Sequence, residues 1–237
     1  MIDEIQSQLV NLSNSEDGLF LQRFFKTGPG QYSEGDLFRG IRVPELRRLS
    51  KAHQNITLKQ VLQLLHSAYH EDRLLALLIL VRKYASATEA EKSGIYALYL
   101  SHTRFINNWD LVDASAEHIA GAYLSNKSKD PLYHLSRSCN IWERRIAMLA
   151  TFHFIKRGKY DVTLGIAEIL LKDREDLIHK AVGWMLREVG KRDIQREEAF
   201  LRLHYRQMPR TMLRYAIEKF PEDKRKRYLK SAVSTGM

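Results

Sequence analysis

The sequence is poor in everything that breaks, bridges or stiffens a helical chain. Of its 237 residues one is cysteine, five are proline and 12 are glycine. A lone Cys139 excludes internal disulfides and fits a reducing cytoplasm. With so little punctuation and no recurring alternation of apolar and polar residues, strand architectures find no support. Long apolar runs are missing too. The longest, Leu74–Val81, is far too short to cross a bilayer, so no membrane partner is expected. The N-terminus, "MIDEIQSQLV", is acidic and amphipathic, without the features of a secretory signal. Acid is also in deficit: the net charge is +10, with a pI near 9.6. That balance favours a polyanionic partner, while ribosomal, membrane-surface and solubility explanations stay open.

What is present is helical spacing. Leu58, Val61, Leu62 and Leu65 form one stripe, and Leu74, Leu77, Leu78 and Val81 form the next. The segment Lys26–Asp36 reads as a loop. Gly40 reads as a stop, and Pro44 fits the first turn of a following helix. The breaks recur at a period. Superposing Leu75, Asp110, Arg145, Lys180 and Tyr215 aligns five helical segments at steps of 35 residues. Tandem helix pairs give such a period and stack into a curved solenoid. The expectation is an all-α, HEAT-like superhelix with a concave basic face, one domain over residues 1–237 whose end, 221–237, is a frayed tail.

Candidate functional residues fall on three of these helices. In "NNWDLVD", Asn107 or Asn108 can cap a helix starting at Trp109. On that helix Trp109, Val112, Ala116, Ile119 and Tyr123 share a stripe, with Asp113 at its edge, one turn beyond Trp109. Two readings fit: a half-sheltered carboxylate beside an indole, or a first-turn acid at Asp110 with a core tryptophan. In "NIWERR", Arg145 shares an apolar stripe with Trp142, Leu149 and Phe152. It needs an anion, either a protein carboxylate such as Asp113 or a phosphate. In "HKAVGWMLREVGK" the apolar face is Ile178, Ala181, Val182, Met185 and Val189. Trp184 lies off it, in the row Lys180, Trp184, Arg187, Lys191. Such a row either meets nucleic acid or is an indole packed on the next repeat among solvated cations.

In this order and spacing, the three motifs resemble the AlkD-type DNA alkylation repair glycosylases. The segment "LFRGIRVPELRRLSK" resembles the family's N-terminal Gly–Ile–x–x–Pro–x–x–Arg stretch, and the likeness runs from Leu37 to Tyr215. It implies a helical-repeat enzyme on duplex DNA, hydrolysing the N-glycosidic bond of cationic N3- or N7-alkylated purines without base flipping. Asp113 corresponds to the catalytic aspartate, Trp109 and Trp184 to the aromatic residues flanking the lesion, and Arg145 to an arginine contacting DNA. Where the family often has a second tryptophan, this chain has Asn108. The resemblance implies no cofactor and a monomer acting at the nucleoid.

Other groups carry weaker expectations. His66 and His70, four apart, read as surface histidines or as half of a metal site; the expected metal set is none. Asp110, Asp113 and Glu117 could hold Mg²⁺, or simply cap and edge a helix. From Arg202 to Lys230 there are ten Lys or Arg against three acids, and the row Arg206, Arg210, Arg214 either grips phosphate or is solvated. The runner-up function is a non-catalytic module that binds unusual DNA structure or scaffolds proteins.

Overall fold

The computed structural model describes residues 2–231, and over them the fold is all-helical. Among the described residues, β pairing amounts to an isolated parallel bridge between Leu37 and Tyr69. No described helix is long and apolar enough to cross a membrane. The chain divides into two compact units, Met1–Ile119 and Ala120–Met237.

The first unit contains α1 (Ile2–Asn11), α2 (Ser15–Phe24), α3 (Val43–Ala52), α4 (Leu58–Leu65), α5 (His70–Ser86), α6 (Glu89–Ser101) and α7 (Trp109–Asp113). Their starts are written locally. Thr57 with Gln60, and Thr88 with Glu91, close capping boxes at α4 and α6, each satisfying two otherwise orphaned N–H groups. Pro44 occupies the first turn of α3. Gly40 does not end a helix. It has φ +77°, and a Cβ there would collide with the Asn14 carbonyl. The core helix is α5, apolar nearly all round, with Leu74, Leu75, Leu77, Ile79 and Leu80 buried against α3 and α4.

The second unit contains α8 (Asp130–Leu135), α9 (Ile141–Ala150), α10 (Phe152–Ile155), α11 (Asp161–Ile169), α12 (Asp176–Gly190), α13 (Ile194–His204), α14 (Arg210–Ala216) and α15 (Glu222–Ser231). Here α12 is central. Its face Ile178, Ala181, Val182, Met185 and Val189 is wholly buried, as the periodicity indicated, and it packs against α9, α13 and α14. Gly183 permits the closest approach, because a Cβ would strike the Met212 carbonyl and the Tyr215 side chain of α14.

The repeat is visible in the element order. The five anchor residues lie on helices beginning at residues 70, 109, 141, 176 and 210, each preceded in the chain by a partner helix.

Three expectations need correction. The helix starting at Trp109 does not run to Tyr123: it ends at Asp113, passes through a turn at Ala114–Ala116 and resumes as a π-helix over Glu117–Gly121. The cause is Ser115, whose hydroxyl donates to the Leu111 carbonyl at 2.6 Å and pairs with the buried Tyr99 hydroxyl at 2.9 Å. The C-terminal segment is not frayed through Ser231. Residues Glu222–Ser231 form α15, with Tyr228 set edge-on to Tyr205 and Phe220 and Lys224 paired with Glu198; the rest of the expected tail lies outside the described residues. Arg206 lies beyond the end of α13 and before Pro209, so it shares no helical row with Arg210 and Arg214.

Candidate functional site

The helix α7 is only five residues long, too short to hold its shape by its own hydrogen bonds. Its neighbours fix it. Asn108, fully buried, accepts the Trp109 N–H at 2.8 Å and donates to the Ser33 hydroxyl at 2.6 Å. The residue that departs from the family pattern is therefore the cap of this helix and its tie to the Lys26–Asp36 loop.

The indole of Trp109 rests on aromatic rings that the sequence reading missed. It stacks on Phe25 (5.4 Å, 19°) and meets Phe24 edge-on (6.3 Å, 68°). Phe25 in turn stacks on the buried Phe38 at 5.0 Å. Phe24 is 56% exposed, so Trp109 has one clean aromatic neighbour below it and one open to solvent. The signal was a pair of adjacent phenylalanines, Phe24 and Phe25, at the end of α2, but nothing local says which helix they meet.

Asp110 and Asp113 have different fates. The imidazole Nε2 of His70 lies 2.8 Å from Asp110, and Nδ1 lies 3.7 Å from Asp36. His70 is thus a core residue, 2% exposed, rather than a surface histidine. Burial alone would lower its pKa, but the charge and hydrogen bond of Asp110, helped by Asp36, raise it to about 9. It is an imidazolium at neutral pH. Asp36, which burial would push up, is held below the ordinary carboxylate range by His70 and by the Arg73 guanidinium at 2.8 Å. Asp113, half-buried at the last position of α7, lies beside the Tyr99–Ser115 pair; its negative charge, after burial, is a further reason that the Tyr99 hydroxyl is hard to ionise. Among the described residues no group of three or more His, Cys, Asp or Glu side chains is arranged to hold a metal.

The "FRGI" segment has a structural explanation. The buried carboxylate of Glu71 accepts three successive backbone N–H groups, from Arg39, Gly40 and Ile41, at 2.8–3.2 Å. Arg39 also makes a two-pronged pair with Asp72 and covers the Tyr69 ring.

In the second unit Arg145 is 4% exposed and donates to the Leu177 carbonyl at 2.6 Å, so part of its fork serves the fold. Its neighbour Arg144 is wholly structural, bound to Asp173 and to the Ser138 and Cys139 carbonyls. Trp184 is half-exposed, as its place off the apolar face required, and tilts against Phe152 at 6.2 Å; Lys156 lies 4.3 Å from the centre of that Phe152 ring. The row around Trp184 is not bare cation. Lys180 pairs with Asp176 at 2.7 Å, Lys191 with Glu188 at 2.5 Å, and Arg187 with Glu218. Arg210 and Arg214 are both exposed, one turn apart on α14. The Trp109–Asp113 pair is brought together on one element, and the Trp184 row on another in the second unit.

The family model described as DNA alkylation repair enzyme matches residues 5–220. A solved structure described as a predicted DNA alkylation repair enzyme from Enterococcus faecalis is similar at a TM-score of 0.68 and 18% identity, over 89% of this chain and 97% of that one. AlkD2 from Streptococcus mutans is similar at a TM-score of 0.55 and 14% identity, over 86% of this chain and 97% of its own. No curated protein matches the sequence.

Proposed function

The chain belongs to the DNA alkylation repair enzyme family, and from that premise we propose that it is an alkylpurine DNA glycosylase that uses Asp113. The observation that supports this most is the placing of a half-buried carboxylate, Asp113, on the same five-residue helix as an indole held on its own aromatic bed.

The chemistry suits a carboxylate and little else. Alkylation at N3 or N7 makes the purine cationic, so it departs with the electron pair of the C1′–N9 bond and becomes neutral. The sugar left behind is oxocarbenium-like. A fixed carboxylate stabilises that charge and orients the water that attacks C1′, accepting the proton the water loses. The Trp109 face adds attraction for the developing cation. Trp184, half-exposed on α12, is assigned an aromatic contact with DNA. Lys180, Arg187, Lys191, Arg210 and Arg214 are assigned to the phosphates of duplex DNA, the paired ones exchanging an acid for a phosphate; Arg145, buried against the Leu177 carbonyl, is assigned to the fold instead. Action in the cytoplasm as a monomer and release of the base without extrusion complete the reading.

The test is release of 7-methylguanine and 3-methyladenine from methylated duplex. Asp113→Asn is expected to retain the fold and DNA affinity while losing roughly 100- to 1000-fold in release rate. Equal release by mutant and parent removes Asp113 from the mechanism. Binding without any release by the parent leaves the non-catalytic DNA-binding module.

A further inference from the structure

We infer that His70 is a positioning residue for this site: it holds α7 at two consecutive side chains, and so fixes where Trp109 and Asp113 stand. This rests on the glycosylase reading only for the word site; the clamp itself is geometric.

The first hold is polar. Nε2 of His70 donates to Asp110 at 2.8 Å. The second is through rings. The imidazole stacks on Phe38 (4.6 Å, 18°) and lies 4.9 Å from Phe25, which in turn stacks on the Trp109 indole. One buried ring at the start of α5 therefore governs both the residue that begins the short helix and the one after it. Because α7 has five residues, a shift at Trp109 or Asp110 is carried directly to Asp113 at its other end.

The surroundings leave His70 no competing task. Of the charged groups packed around it, Glu71 is committed to the loop amides and Asp72 to Arg39 and Ser67. Arg73 pairs with Asp36, which faces Nδ1. Asp110 and Asp36 thus flank one imidazolium, with Arg73 as a nearby like charge. The fold has spent a buried ion pair, costly to desolvate, on the one helix that carries the candidate chemistry.

The decisive variant is His70→Gln, which keeps a donor and removes charge and ring, with Asp110→Asn as the partner that leaves the ring in place. Both are expected to lower the single-turnover rate of base release roughly 10- to 100-fold at saturating protein, with the dissociation constant for methylated duplex changed less than about twofold. The indole N–H resonance of Trp109, assigned by Trp109→Phe, shifts in both variants. The wild-type rate constant falls as pH rises through about 9, where the imidazolium is lost, and that limb is absent in His70→Gln. An unmoved indole resonance together with a wild-type rate in folded His70→Gln overturns the inference; so does a rate loss matched by an equal loss of DNA binding. A parent protein that releases no base overturns the glycosylase reading instead, and the indole resonance still decides the clamp.

Discussion

Single side chains decide more here than their number suggests. Asn108 is the plainest case, since it caps α7 and anchors the Lys26–Asp36 loop through Ser33. Replacing it by alanine removes the cap and strands the Ser33 hydroxyl, and is expected to cost about 2 kcal/mol in urea unfolding. Restoring a tryptophan there costs more, because the position is completely buried. Glu197 supplies a second test. Burial, with the charge of Glu198 beside it, raises its pKa from 4.5 to about 8. The folded state therefore holds a proton that the unfolded chain releases near 4.5, and stability from this group is lost as pH rises toward 8. Glu197→Gln is expected to flatten that decline and to stabilise the protein at pH 8 by on the order of 3 kcal/mol, read from melting temperature across pH. Glu197 was not legible as special. Asn108 was read correctly as a possible cap, because capping is local. Its bond to Ser33 spans 75 positions of sequence, and no pattern reports it. His70 was misplaced on the surface for the same reason: its partners, Asp36 and Asp110, lie far from it along the chain.

For whole elements the sequence is a better guide, and its failures have identifiable causes. Helical periodicity located α4, α5, α9 and α12, and on α12 the buried face as well, since a 3.6-residue stripe is written in the segment that forms it; on α4, Leu58 of the expected stripe is exposed and Leu64 is buried instead. The interruption after Asp113 was invisible because Ser115 breaks the helix with help from Tyr99 of α6. The cationic row on α12 was read correctly as a row, but its neutralising acids were not weighed. Two of them, Asp176 and Glu188, lie within one turn and were available to a pairing argument; Glu218 comes from beyond α14 and was not. Close packing of α12 on α14 makes a sharp prediction. Gly183→Ala forces a methyl into the Met212 carbonyl and Tyr215, and is expected to destabilise the protein by roughly 3 kcal/mol, measured as a lowered denaturant midpoint at unchanged slope.

Taken as a whole, the molecule carries a net charge of +10, yet much of its visible cation is spent internally, on Asp36, Asp72, Asp173, Asp176, Glu188 and Glu218. DNA affinity is therefore expected to depend on fewer arginines and lysines than composition implies. If Arg210 and Arg214 each meet a phosphate, replacing both with glutamine reduces the slope of log K against log salt by about 2; an unchanged slope removes them from the interface. The buried trio of His70, Asp36 and Asp110 has a consequence on a longer timescale. A lineage that loses the imidazole leaves Asp110 without the charge that faces it and Asp36 with Arg73 alone, so positions 70 and 110 are expected to change together or not at all during descent, a linkage that a comparison of relatives can count.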